Sequence, residues 1–310
     1  MAKENESLVK AEFNLTGDLG KPASVLIERV CNGAWALVEP IRAVYKARME
    51  NWSKGIELEG QLQRENKLIQ AEAEQERLRL QADFRIEAER LRHQQSLNTL
   101  ALKASYYLKA DAQPEKISPD WLELYIDKGK RVHDEHFQEI WAKLLADEAN
   151  EPGTYSKRTL SILQDMESSD AKALQALSRF TCILTTSDNT TARCPIIWNM
   201  AASPLYQEYG LKYEKIRDLE SIGLISIADY SHLFGTNDKE LKNFAITVEY
   251  FSDSETITFK DNTHQKMVRI GSVMLTKWGA ELIRVCEPGE EVPEFLQRAL
   301  KVMLGKSERI

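Results

Sequence analysis

The chain has 310 residues, of which 43% are hydrophobic and 29% charged, and its formal net charge is −7. That length supports two packed domains, or one domain with a long extension. The acidic balance argues against a protein that coats nucleic acid by bulk electrostatics, while leaving room for a local basic patch.

Residues 1–20 are polar, end in Gly17 and Gly20, and read as a flexible arm. Residues 21–40 read as an amphipathic helix. Pro22 suits a first helical turn, Val25, Leu26, Val30, Ala34, Leu37 and Val38 recur at helical spacing, and Pro40 interrupts. Glu28 and Arg29 make this helix too charged to span a bilayer. Packing on protein is the favoured fate and a membrane surface the less favoured one.

Residues 41–110 form a proline-free stretch rich in Ala, Glu, Gln, Arg, Lys and Leu, a composition that predicts a long charged helix, or stalk. Leu58, Ile69, Leu80, Leu91 and Leu102 are eleven apart, with Leu62 and Phe84 on a companion row. Eleven residues over three turns is close to a straight helix with slight right-handed coiling. A helix of ~60 residues would reach ~90 Å, more than a domain of this size covers. Leu58, Leu62, Ile69, Leu80, Phe84, Leu91 and Leu102 are therefore assigned to an oligomer seam, and the expected state is a homo-oligomer. The alternatives are a fold-back, with a break near Gly55 and Gly60, or a single charged helix held by i,i+4 pairs.

Residues 117–182 read as a helical bundle, with helices near 119–130, 134–149, 156–165 and 169–181. Ser118-Pro119-Asp120-Trp121 is a helix-start sequence. The stretch WAKLLADEANEPGTYSKRTL, residues 141–160, reads as a helical hairpin turning at Pro152-Gly153. Trp121, Trp141, Leu144, Leu145 and Leu160 form its expected core, and Glu148 and Arg158 are expected to pair across the turn. A metal site from His133, His136, Glu139 and Glu148 is the competing reading. The HDEH spacing lacks the i,i+4 histidines of a zinc protease, and solvent-exposed histidines are preferred.

TTSDNTTARCP, residues 185–195, reads as a loop. Residues 195–310 read as a winged-helix-like α+β module. A helix bears Ile216, Leu219 and Ile222 on one face, with Gly223 after its end. Strand-like runs follow at 244–252, 256–260 and 267–275, then a helix capped by Thr276 and a closing helix. The would-be recognition helix carries Lys212, Lys215 and Arg217 against Glu214, Asp218 and Glu220. That balance makes a protein partner the favoured expectation over nucleic acid.

Cys31, Cys182, Cys194 and Cys286 contain no C-x-x-C pair, which argues against a zinc ribbon or thioredoxin-like motif. The opening MAKENESLVKAEF lacks the apolar region of a secretory leader, and no run of 18 apolar residues occurs. A reduced, cytoplasmic protein is expected. No nucleophile elbow, phosphate-binding glycine loop or kinase signature is present. No catalytic, cofactor-binding or metal residue is assigned, and the leaning is to a non-enzyme.

Four motifs occur together: K-P-x-x-x-L-I-E-x-V (Lys21 to Val30), D-W (Asp120-Trp121), W-A-K-L-L-A-x-E (Trp141 to Glu148) and P-G-x-Y-S-x-R-T-L (Pro152 to Leu160). Their combination resembles an uncharacterised bacterial domain-of-unknown-function family. The hairpin also resembles the abortive-infection alpha proteins, which are associated with phage resistance. The resemblance spans most of residues 20–180, continues weakly into GLI and LTKWGAELI, and departs at His133, where a small N-cap residue is expected. It implies a role in bacterial defence or stress response. The combined expectation is a mainly α fold acting as a self-associating scaffold. The alternatives are a DNA-binding regulator dimerised by the stalk and a peripheral membrane protein using residues 22–39.

Overall fold

The computed structural model describes residues 20–35, 67–198, 204–238, 240–261, 263, 265–286 and 289–305. It divides into two units, Met1–Tyr155 and Ser156–Ile310. The boundary falls inside the stretch expected as one bundle. The expected arm at 1–19 and the first part of the stalk lie outside the described residues.

The first unit contains α1 (Lys21–Trp35), α2 (Lys67–Ser105), α3 (Pro119–Gly129) and α4 (Glu135–Asn150). Among the described side chains of α2, those of its last turns enter the core: Leu97, Leu100, Ala101 and Ala104 are buried with Leu26 and Val30 of α1 and with Ile140, Leu144 and Leu145 of α4. The aromatic centre is a short chain of rings. Trp121 stacks on Tyr125 with centroids 5.4 Å apart, and Tyr125 lies 5.2 Å from Trp141. The Tyr125 hydroxyl donates to the Trp141 carbonyl at 3.1 Å, which satisfies a phenol that is otherwise fully buried. Pro119 occupies the first turn of α3, and Ser118 precedes it without a side-chain cap bond. At α4 the cap is Asp134, whose carboxylate accepts from Phe137 N at 3.0 Å. The departure at His133 is thereby explained: the capping residue is the next one along, and His133 Nδ1 meets Ser96 Oγ at 3.1 Å.

The second unit contains α5 (Lys157–Asp165), α6 (Ser168–Ser178), β1 (Thr181–Thr186), β2 (Thr191–Pro195), α7 (Pro204–Glu208), α8 (Tyr213–Ser221), β3 (Ile225–Thr236), β4 (Ala245–Tyr250), β5 (Asp253–Thr258), β6 (Lys266–Leu275), α9 (Lys277–Val285) and α10 (Phe295–Met303). One antiparallel sheet has the order β2-β1-β4-β5, and β3 and β6 form a separate two-stranded ribbon. Phe180 packs edge-on against Tyr206 and Phe295, at 4.9 and 5.3 Å. Gly271 of β6 has φ of 99°, and a Cβ there would stand 2.1 Å from the Ile197 carbonyl oxygen. Glycine is what allows that backbone to approach so closely and Ser272 N to donate to Ile197 O at 3.1 Å.

The mainly α expectation does not hold. The fold is 54% helix and 20% strand, with antiparallel sheets of four and two strands among the described residues. Three departures account for the difference. The helix expected at 169–181 stops at Ser178, and TCILTT then alternates half-buried and buried positions as β1. The supposed loop after it is a hairpin, turning through Asn189 at φ 65° and returning as β2. The stretch ISIADYSHLFGT, read as no element at all, is β3.

The winged-helix-like arrangement falls with this. The runs at 244–252 and 256–260 do pair with each other as β4 and β5, but β4 also joins β1, with Leu184 opposite Val248. The run at 267–275 pairs instead with β3. The strands expected to make one wing are divided between two sheets.

Candidate functional site

Three features of the two units carry polar or apolar groups in arrangements that a solvated surface does not require. The first is the stripe on α2. Phe84 and Leu91, seven residues apart and on one face, are 60% and 53% exposed, while Leu78 and Ile86, at 51% and 48%, are exposed on other faces of the helix. Leu80 and Leu102 are half-buried. Leu58 and Leu62 lie outside the described residues, as does the side chain of Ile69. Around the stripe the helix is braced by i,i+3 pairs, Arg77 to Glu74 at 2.6 Å and Arg79 to Glu76 at 3.9 Å. With 39 residues, α2 is ~58 Å long. Phe84 and Leu91 form one exposed apolar face on a polar helix, which makes that face a candidate for interaction.

The second feature is a buried carboxylate in each unit. Glu148 of α4 is 1% exposed and accepts from the backbone N–H groups of Gly153 and Tyr155 at 2.7 and 2.9 Å. Tyr155 also donates its hydroxyl to Asp147 at 2.9 Å. Charge-assisted bonds to backbone donors make burial of this carboxylate tolerable and hold the chain after Pro152-Gly153 in place. Trp141, Leu144, Leu145 and, in the second unit, Leu160 are each 1% exposed or less, and Trp121 is 3% exposed. Arg158, expected beside Glu148, is exposed, with its guanidinium 5.4 Å from the centre of the Trp278 ring, a cation–π geometry.

The second unit's buried carboxylate is Glu281 of α9, at 7% exposure. Its Oε2 accepts from Ser156 N at 3.0 Å, from Ser156 Oγ at 3.2 Å and from Thr159 Oγ1, and Lys277 Nζ stands 3.9 Å from its other oxygen. Sequence reasoning missed Glu281. The available signal was an acid on the apolar face of KWGAELIRV, where Leu282, Ile283 and Val285 are also buried.

The third feature is a cleft of about 550 Å³ in the second unit, lined by β2, β3, β6 and α9. Its walls include Pro195, Ile270, Val273 and Leu275, and its charged groups are Arg193, Lys277, Arg284 and Glu281. A smaller cavity of about 330 Å³ shares Arg193 and Arg284. Cys194 lines the first and Cys286 the second. Burial pushes the Cys194 thiol up to about 12, so it is not a thiolate nucleophile at neutral pH.

The histidines of the HDEH sequence have ordinary packing partners. His133 faces Ser96, and the His136 ring lies edge-on to Phe137 at 6.2 Å. Glu139 is held by the Tyr107 hydroxyl and by Lys103 at 3.4 Å. These two, the hydroxyl foremost, keep its carboxyl below the usual carboxylate range. Among the described residues no group of three His, Cys, Asp or Glu stands together as a metal-ligand set. On α8, Lys215 pairs with Asp218 at 3.0 Å and Arg217 with Glu220 at 2.5 Å. No helix among the described residues is long and apolar enough to cross a membrane.

No curated protein and no solved structure matches the chain. A family model does match, over residues 80–298, and is described as "Protein of unknown function (DUF2806)". The match starts at Leu80, within α2, so the Lys21 to Val30 motif lies outside it. It takes in the hairpin, both sheets and the start of α10. The span covers well over half of the sequence, and the chain belongs to the DUF2806 family of proteins of unknown function.

Proposed function

We propose that this protein is a non-enzymatic, self-associating interaction protein whose seam runs along α2. The observation that carries the reading is the exposure of Phe84 and Leu91, each more than half open to solvent, on a helix whose last turns are built into a core. A second copy laid along the stripe removes that apolar surface from water, which favours association by roughly 25 cal/mol per Å² covered, before the cost of bringing two chains together. The second unit then remains available to a protein partner. The internal pairing of Lys215 and Arg217 supports that partner over a nucleic acid, because phosphate contacts draw on cations that acids do not already neutralise.

The test is the native mass by light scattering, read beside the double variant Leu80→Asp with Leu91→Asp. The natural chain is expected to form an oligomer and the variant a monomer in which residues 118–310 remain folded. Equal masses for the two chains would sink the seam. The resemblance of the hairpin to abortive-infection alpha proteins supports a place for this assembly in phage defence. Plaque counts on cells carrying the natural or the seam-broken chain test it: protection is expected with the natural chain alone, and equal plaquing removes the role.

A further inference from the structure

We propose that the cleft lined by β2 and α9 binds a small organic oxyanion, a phosphate ester or a carboxylate carried on a flat apolar body. Three cations from two elements line it, Arg193 from β2 and Lys277 and Arg284 from α9. Lys277 and Arg284 are two helical turns apart and therefore share a face. The chain as a whole has a net charge of −7, so a cationic cleft is a local arrangement against the general composition. The lining also includes Glu281, but its Oε2 already accepts from Ser156 and Thr159. Its other oxygen stands 3.9 Å from Lys277 Nζ, so the lining holds three cations and one carboxylate.

Between the charges the walls are apolar. Ile270 and Val273 are 2% and 1% exposed, and Pro195 and Leu275 complete the surface. A bare hydrated ion makes no use of such walls, whereas a ring bearing an oxyanion uses both parts. The volume of about 550 Å³ lies in the ordinary range for small-molecule sites, roughly 300–1,000 Å³. Arginine presents a planar fork of donors that matches phosphate and carboxylate oxygens, and a lining of three cations and one carboxylate favours a ligand of negative charge. Arg193 and Arg284 also line the smaller cavity, together with Glu249.

The experiment is calorimetric titration of the full chain with three probes that share one ring system: 1-naphthyl phosphate, 1-naphthoate and uncharged 1-naphthol. The expected result is one site per chain for a charged probe, with 1-naphthol weaker by roughly tenfold or more. A preference between phosphate and naphthoate identifies which oxyanion the site takes. The double charge reversal Arg193→Glu with Arg284→Glu is expected to weaken the charged probe roughly tenfold or more. Ala280→Phe fills the cleft while keeping all three cations and is expected to abolish binding. Circular dichroism checks the fold, and if the charge-reversed chain is unfolded, the Ala280→Phe chain decides. No saturable binding of either anion, equal binding of 1-naphthol, or natural-like binding by the folded variant overturns the proposal.

Discussion

The two units of this molecule are packed in different ways. In the first, all the packing is between helices: some contacts are close in the chain, as where the Tyr125 hydroxyl meets the carbonyl of Trp141, 16 residues on, and others are distant, as where α2 packs on α1 and α4 and Arg29 reaches the Ile117 carbonyl across 88 residues. In the second, the sheet closes through Leu184 and Val248, the ribbon through Ile225 and Leu275, and Glu281 holds Ser156 from 125 residues away. Yet each unit uses one buried carboxylate to hold backbone amides. The lesson is that the same local device serves both a helical architecture and a mixed one.

The largest test of this contrast is Trp141→Ala. Removing a side chain that is 1% exposed and touches the Tyr125 ring is expected to cost ~3–5 kcal/mol in the first unit. Hydrogen exchange resolved by segment is expected to speed up across α3 and α4 and to leave β1 to β6 unchanged. Acceleration in both regions alike would show that the units do not open separately.

Next in size are the two carboxylates. Glu148→Ala leaves the Gly153 and Tyr155 amides without their acceptor, and Glu281→Ala does the same to the Ser156 amide and to the Ser156 and Thr159 hydroxyls. Each substitution is expected to cost ~2–3 kcal/mol, since bonds to charged groups contribute more than neutral ones. Denaturant unfolding of each variant measures the cost. Exchange is expected to rise at 153 and 155 in the first variant and at 156 in the second. An effect below ~0.5 kcal/mol in either would remove that carboxylate from the structural account.

The smallest effect on stability is expected at Glu139. Its carboxyl is held below the ordinary value of 4.5 by the Tyr107 hydroxyl and Lys103, so its folded-state value is the lower of the two. Its contribution is therefore present above pH 4.5 and is lost as the pH falls through the folded-state value. A partly exposed pair of this kind contributes about 0.5 kcal/mol. Glu139→Gln is expected to lower stability by about 0.5 kcal/mol at neutral pH and to flatten the acid limb below pH 4.5, where the two curves converge. An identical acid limb in both chains would assign that limb to other groups.

Much of the helical framework is legible from short stretches of sequence. The helices expected near 119, 134 and 156 begin at Pro119, Glu135 and Lys157, because proline in a first turn and Asp or Ser just before a helix act within a few residues. Thr276 caps α9, accepting from Gly279 N at 3.1 Å, and Gly223 follows α8 at φ 82°. The strands were less legible. TCILTT follows α6 with only two residues between them, so its alternation is too short to separate from a helical tail. ISIADYSHLFGT has an irregular burial pattern and a bulged register opposite β6, which disguises the period of two.

What the sequence by itself determined is therefore local: the caps, the turn at Pro152-Gly153, and a charged helix with a thin apolar stripe. These follow from backbone and side-chain preferences that act over one or two turns. Tertiary structure alone decided which strands pair, that the β4–β5 hairpin joins β1 rather than β6, and that a glutamate on α9 reaches the start of α5. It also brought Arg193 into one cleft with Lys277 and Arg284. Those choices are made by burial and hydrogen bonding between segments far apart in the chain, where many pairings satisfy the same local pattern and only the packed whole selects one.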